Sequence, residues 1–276
     1  MSAATLPAAL PWTPPPPERP EPAARAEPVR SGQPPAAADA AERKRALEEL
    51  LRARRLQAEA PPLRCEDYRQ RPIATGILEV DPLLAGGFPR GEQSEIHGPA
   101  SSGRTGVLLA LLAHTTRAGA LAALVDPLDR LDPGSAAAAG VDLERLLWLR
   151  GPRTGGEEPQ AKALASATAA VATLAGSGLF DMLALDLAGT DGAHRRLPAT
   201  TWLRLQRLVE DTKTALVLVA DGHVALSPGG RALALEPLGL RFSGPPGPAC
   251  LLRSLTARAR AGRHGLRTAE LAFAAL

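Results

Sequence analysis

Residues 95–119 read EIHGPASSGRTGVLLALLAHTTRAG, and this stretch decides how the chain is organised. Four residues separate Gly98 from Gly103, and a hydroxyl residue, Thr105, follows. Glycines at this spacing let successive backbone N–H groups turn inward as an anion nest, just ahead of a helix N-terminus. A loop of this shape needs a lysine before the hydroxyl residue, to reach the outer phosphates. Here that position is Arg104, whose planar fork does not substitute for a compact ammonium. Gly98, Ser101, Ser102, Gly103, Arg104 and Thr105 therefore form a vestigial nucleotide-binding loop.

Outward from the loop, short apolar runs alternate with helical patterns. EQSEIHG precedes it, and helices are predicted from Arg104 to Ala118, Gly134 to Ala139, Pro159 to Ala175 and Thr201 to Asp211. LAALVDP, LLWLRG, DMLALDL and TALVLVAD lie between or after them as fully apolar strands. This alternation predicts an α/β fold, a mainly parallel sheet covered on both faces by helices. LGLRFSG, ACLLRSLTARARA and RTAELAFAAL, after Gly230, are expected to extend the sheet in antiparallel fashion. The run LFDMLALDLAG ends an apolar strand at Asp186, where phosphate-loop proteins place the carboxylate behind magnesium. Loop and carboxylate both fall at strand C-termini, where open parallel sheets bind ligands.

The remaining sequence is of a different kind. Residues 1–38 are dominated by Pro and Ala and predict a disordered arm, in which Trp12 is a stray apolar residue or a docking peptide. Residues 39–60 predict a helix with Leu47, Leu50 and Leu51 on one stripe, too narrow to fold alone, so that it docks on its own core or on a partner. The core is expected over 61–276. The chain of 276 residues is 45% hydrophobic and 22% charged, which fits a globular protein. Aromatic content of 3% leaves few rings on which bases could stack. From Arg241 onward there are six arginines against one Glu, and Arg258, Arg260 and Arg263 are candidates for a second contact with protein or DNA backbone.

Cys65 and Cys250 are far apart, and the five histidines lack ligand spacing, so neither a disulfide framework nor a metal site is expected. No signal pattern or apolar run of membrane-spanning length occurs, and the expectation is a cytoplasmic protein.

ATGILEVDPLLAGGFPRGEQSEIHGPASSGRT, Ala74 to Thr105, closely resembles the start of the ATPase core of RecA recombinases. Thr75, Gly76, Asp81, Gly86, Gly87, Pro89, Gly91, Gly98, Pro99, Ser101, Ser102, Gly103 and Thr105 match that pattern. The echo continues in order through LVDPLDRLDPGSAAAAGVDLERLLWLRG, DMLALDLAG, TALVLVADG and SPGGRALALEPLGLRF. The resemblance implies a RecA-like P-loop core. It also implies losses. Beyond Arg104 for lysine, the family's catalytic glutamate falls on Leu128, which cannot orient a water, and Asp129 stands one position off. The nucleotide-sensing glutamine falls on Asp221, where an acid repels a γ-phosphate. The segments matching the mobile DNA loops are short, with His194, Arg195 and Arg196 as their only basic cluster, which implies at most weak DNA contact.

A degenerate RecA core is similar to the ImuA family, and AAGVDLERLLWLRG carries part of that likeness. The resemblance implies a non-catalytic accessory protein of error-prone translesion synthesis in the SOS response. Its implied partners are RecA, an ImuB-like Y-family polymerase homologue and an error-prone replicative-type polymerase. No catalytic residue and no cofactor are then expected. The alternatives are a divergent DNA-dependent ATPase using ATP and magnesium, with Arg104 and Asp129 taking over the lost roles, and a SulA-like cell-division inhibitor.

Overall fold

The computed structural model describes residues 71–151, 160–190, 192–245, 247, 250–261 and 267–274. The Pro/Ala-rich arm, the 39–60 helix with Leu47, Leu50 and Leu51, Cys65 and Arg263 lie outside the described residues.

One eight-stranded sheet organises the described chain. Its strands are β1 (Gln93–His97), β2 (Ala122–Asp126), β3 (Leu146–Arg150), β4 (Met182–Asp186), β5 (Ala215–Ala220), β6 (Ala232–Ser243), β7 (Leu251–Ala261) and β8 (Arg267–Ala274). Their order is β3-β2-β4-β5-β1-β6-β7-β8. Every neighbouring pair from β3 to β6 runs parallel, whereas β6–β7 and β7–β8 are antiparallel. One expectation needs correcting here: β6 does not join antiparallel throughout. Its first residues pair parallel with β1, as Glu95 with Ala232 and His97 with Ala234, and only its other edge is antiparallel.

Four helices cover the sheet: α1 (Arg104–Arg117), α2 (Pro133–Ala138), α3 (Gln160–Ser177) and α4 (Ala199–Val209). The two-residue period of the strands sorts their side chains between two cores. Leu124, Ala184, Val217 and Ile96 meet Val107, Leu108, Leu111 and Leu112 of α1 on one face. Val125, Leu185, Leu218 and Ala220 meet Leu164 and Val171 of α3 and Trp202 and Leu205 of α4 on the other. Burial on both faces is why these strands read as unbroken apolar runs.

Element ends have local causes. Asp132 caps α2 by accepting from Ser135 N at 2.7 Å, with Pro133 in the first turn. α4 begins directly after Pro198, two residues before the expected Thr201. It stops at Val209 because Glu210 turns extended and Asp211 follows with φ 63°. At the N-terminal edge of the sheet, Asp181 accepts from Arg90 Nη1 at 2.9 Å and from Lys213 Nζ at 3.2 Å, joining the approaches to β1, β4 and β5.

The TG and GG words that precede β1 are structural. The Asp81 carboxylate accepts from Thr75 N and Thr75 Oγ1, both at 2.7 Å, and from Gly76 N at 3.2 Å. The antiparallel bridge of Ile73 with Phe88 brings Gly87, at φ 132°, so close to the Ile73 carbonyl that any Cβ would overlap it. Gly87→Ala must therefore break this bridge. Urea denaturation is expected to show a loss of about 3 kcal/mol, against about 1 kcal/mol for Gly119→Ala, where φ is 82° and nothing lies within contact of an added Cβ.

Candidate functional site

The C-terminal edge of the parallel sheet gathers the singular residues. The loop from Gly98 to Gly103 leaves β1 and enters α1, and its left-handed residues, Ser101 at φ 58° and Gly103 at φ 86°, give it the backbone form of an anion nest. Gly98 N donates to Ala220 O at 3.2 Å, and Gly98 lies against the Leu235 carbonyl too tightly to carry a Cβ. The loop's shape is thus fixed by β5 and β6.

Arg104 occupies the first turn of α1 and is buried. Its guanidinium folds back over the loop. Nη1 donates to the carbonyl of Gly98 and forms an ion pair with Asp221 Oδ1 at 2.8 Å. The other oxygen of Asp221 accepts from Gly189 N at 2.8 Å. One arginine and one aspartate thereby join the phosphate loop, the end of β5 and the turn after β4. Both residues stand out in the sequence as separate losses; the structure makes them partners. The signal available beforehand was their opposite sign, a cation and an anion each foreign to the pattern.

Asp186 lies at the end of β4, half-buried, and accepts from Ala188 N at 2.9 Å. Burial pushes its carboxyl up to about 6. The Ala188 N–H opposes this shift, the nearby Asp126 charge adds to it, and Arg104 and Arg130 oppose it. Asp126, fully buried at the end of β2, uses one oxygen to accept from Arg130 N at 2.7 Å, Leu131 N at 2.8 Å and Trp148 Nε1 at 3.3 Å. Its other oxygen has no hydrogen-bond partner. Thr105 is exposed beside them, and Ser102 is buried with an unpartnered hydroxyl.

Leu128, on which the resemblance places a catalytic glutamate, is half-buried. The neighbouring Asp129 adopts φ 54° and is gripped by Arg150 of β3, with bonds of 2.6 and 2.7 Å to Nε and Nη2. Arg150 in turn lies over the Trp148 ring at 4.4 Å. Asp129 is thus tied to the edge strand by a bidentate pair.

Two other features were not legible beforehand. The Phe273 ring of β8 lies against the start of α1, so that a Cβ on Gly103 or Gly106 would sit 2.5 or 2.8 Å from it. Glu95, fully buried, accepts from Val224 N at 3.0 Å and meets His223 Nδ1 at 2.5 Å, with His97 Nε2 at 3.6 Å. Burial lowers the His97 pKa, partly countered by Glu95.

The basic cluster of the DNA-loop segment needs correction. His194 is buried, its Nδ1 2.9 Å from Thr190 Oγ1, and burial holds its pKa below the usual value, so it adds no charge to the surface. Only Arg195 and Arg196 are exposed there. The basic strands are also less free than their composition suggests. Arg258 is 3.8 Å from Glu236 and 3.9 Å from Glu270, and Arg260 pairs with Glu236. Among the described residues, no three His, Cys, Asp or Glu side chains are placed to hold a metal ion, and no helix is long and apolar enough to cross a membrane.

A raised carboxyl pKa has a definite sign in stability. Asp186 binds its proton more tightly in the folded chain, so its contribution is full below about pH 4 and is lost as pH rises through about 6. Asp186→Asn is expected to match wild type near pH 4 and to exceed it at pH 7.5 by about 1–2 kcal/mol after allowance for partial exposure. Thermal melts across that range measure this.

Comparison with known proteins agrees with this architecture. The family model of the RecA N-terminal domain matches residues 65–189. The chain is 47% identical to Protein RecA of Picosynechococcus sp. over 88 residues, 31% of this chain and 25% of that one. It is 48% identical over 87 residues to that of Nostoc punctiforme, covering 32% and 24%. With Protein RecA of Lactobacillus johnsonii the identity is 32% over 186 residues, 58% of this chain and 49% of the relative. The chain thus spans from about a quarter to about half the length of these relatives.

Proposed function

Starting from a RecA-like core, we propose that this protein works without turning over nucleotide, as an accessory factor of error-prone translesion DNA synthesis in the SOS response. It acts by docking, with RecA, an ImuB-like Y-family polymerase homologue and an error-prone replicative-type polymerase as its partners. The observation that supports this most is the Arg104 side chain, folded into its own loop and paired with Asp221. A nucleotide entering the nest must first displace Arg104 from Gly98 and Asp221. The freed Asp221 carboxylate then faces the terminal phosphate. At 4 Å and an effective dielectric near 20, each such pair of like charges costs about 4 kcal/mol. Leu128 offers no hydrogen-bond acceptor for water, and Asp129 is held by Arg150. The likeness to the ImuA family in Ala138–Gly151 supports the translesion assignment.

The decisive experiment is equilibrium binding of ATP to the full chain, with and without magnesium, beside an ATPase assay with single-stranded DNA. We expect no saturation below about 1 mM ATP, equivalent to a binding free energy no stronger than about −4 kcal/mol. No turnover is expected in wild type or in Arg104→Lys, since the lysine alone restores no water-orienting group. With two exposed arginines at the DNA-loop segment, residual binding to single-stranded DNA should show a log–log salt slope shallower than about −2. Magnesium-dependent turnover abolished by Asp186→Ala would overturn this reading in favour of a working ATPase. Co-purification of the tagged full chain with RecA and the ImuB-like subunit tests the docking half directly.

A further inference from the structure

β6 does not end where the parallel sheet ends. Its pairing with β1 stops at Ala234, level with His97, and the Leu235 carbonyl lies beside Gly98. From there to Ser243 its strand partner is β7. At strand rise this projection extends roughly 25 Å past the phosphate-loop edge.

The projecting part has the composition of an interface. Among the described residues, five of the eight exposed large hydrophobics lie on it: Leu238, Leu240, Phe242, Leu251 and Leu252, with Phe242 56% exposed. That concentration separates them from the isolated exposed leucines that every surface carries. Register makes them a stripe. Leu240 and Phe242 are two residues apart on β6 and so share a face; Leu240 pairs with Leu255 and, past a bulge between Arg241 and Phe242, Phe242 pairs with Leu252. Leu255 pairs onward with Phe273, whose ring lies on Gly103 and Gly106. The apolar stripe therefore runs from the first turn of α1 outward along the hairpin, with no helix among the described residues over its outer part.

Charge distinguishes the outer from the inner hairpin. Inside, Arg258 and Arg260 are balanced by Glu236 and Glu270. Outside, Arg241 and Arg253 form no ion pair among the described residues; Arg253 bonds only to the Ser243 hydroxyl. Arg241 stands between Leu240 and Phe242 and Arg253 reaches Ser243, so both cations lie on the face opposite the apolar stripe, and a strand added along the hairpin would meet the two faces alternately. The complement of that surface is an extended chain with alternate apolar side chains and carboxylates between them.

We propose that the outer β6–β7 hairpin docks an acidic protein segment in which apolar and acidic residues alternate. The proposal rests on the docking role argued above, and names its surface and the chemistry of its partner. Nucleic acid fits it less well, because two arginines offer few phosphate contacts and Phe242 is the hairpin's one exposed ring.

The test uses the full chain and a short fluorescent peptide of alternating Leu and Glu, read by anisotropy. Alternating Leu/Lys and Ser/Glu peptides serve as controls. Saturable binding of the Leu/Glu peptide alone is expected. Leu240→Ser with Phe242→Ser should weaken it at least about tenfold, and Arg241→Glu with Arg253→Glu by about as much. Because these side chains are exposed, both variants should melt at the wild-type temperature, which shows that the loss is not unfolding. Equal binding of the Ser/Glu peptide, or unchanged binding by either variant, overturns the proposal. So does competition by single-stranded DNA, or self-association on sedimentation that Phe242→Ser abolishes, since each names a different occupant. Failure here is separable from failure of the accessory role. A Leu240→Ser, Phe242→Ser chain that still captures RecA and the polymerase subunits would sink the hairpin proposal alone. A wild-type chain that binds the peptide but captures none of them would sink only the assigned partners.

Discussion

A guanidinium folded back onto its own loop and paired with an aspartate is the constraint around which this sheet edge is arranged. Arg104 cannot point outward from the first turn of α1 without abandoning both the Gly98 carbonyl and the Asp221 carboxylate. Asp221 in turn holds Gly189, and Gly189 belongs to the turn that follows Asp186. The cation therefore neutralises a region in which Asp126, Asp186 and Asp221 would otherwise face one another. Arg130 assists from the side, its N–H accepted by Asp126 and its Nη1 donating to Ala188 O at 3.1 Å. In a phosphate-loop protein the nucleotide and its magnesium supply the charges that hold these strand ends in place. Here the chain supplies both signs itself.

This arrangement separates two kinds of persistence in the sequence. The words around Thr75–Asp81, Gly86–Gly91 and Gly98–Gly103 survive for reasons internal to the fold. Asp81 satisfies three donors, Gly87 makes room for the Ile73 carbonyl, and Gly98 makes room for Leu235. The proposed loss of nucleotide chemistry rests instead on Arg104, Leu128 and Asp221. A glycine word is thus evidence for the frame, and the residues between the glycines are evidence about its use.

Much of this was legible from one dimension. Unbroken apolar runs between helical patterns located β2 to β5 and the four helices of the described residues, with ends displaced by one or two residues where Pro198 and Asp211 set them. Asp186 was found at its strand end by spacing alone. What periodicity could not supply was pairing between distant residues. Arg104 and Asp221 looked like two independent defects, because nothing local reports that one side chain reaches the other. The arginines after 250 looked like a free basic strip, since only strand register brings Glu236 and Glu270 beside Arg258. His194 looked like part of a cationic loop, and burial removed it. Phe273 gave no signal, because its partners are the missing side chains of Gly103 and Gly106.

The place of β1 in the strand order also governs how the molecule comes together. β1 and the phosphate loop are made early, yet both neighbours of β1, β5 and β6, come from the far part of the chain. Until residues 215–234 have been synthesised, the central strand has no partner on either edge, and Glu95 has neither His223 nor Val224 beside it. The antiparallel β6–β7–β8 unit, by contrast, closes through short connections and low sequence separation. Assembly on the ribosome therefore leaves β1 unpaired until β5 and β6 have emerged. The same strand, β6, both completes the parallel sheet and starts the antiparallel one, so the late hairpin and the early loop become a single cooperative unit in one step.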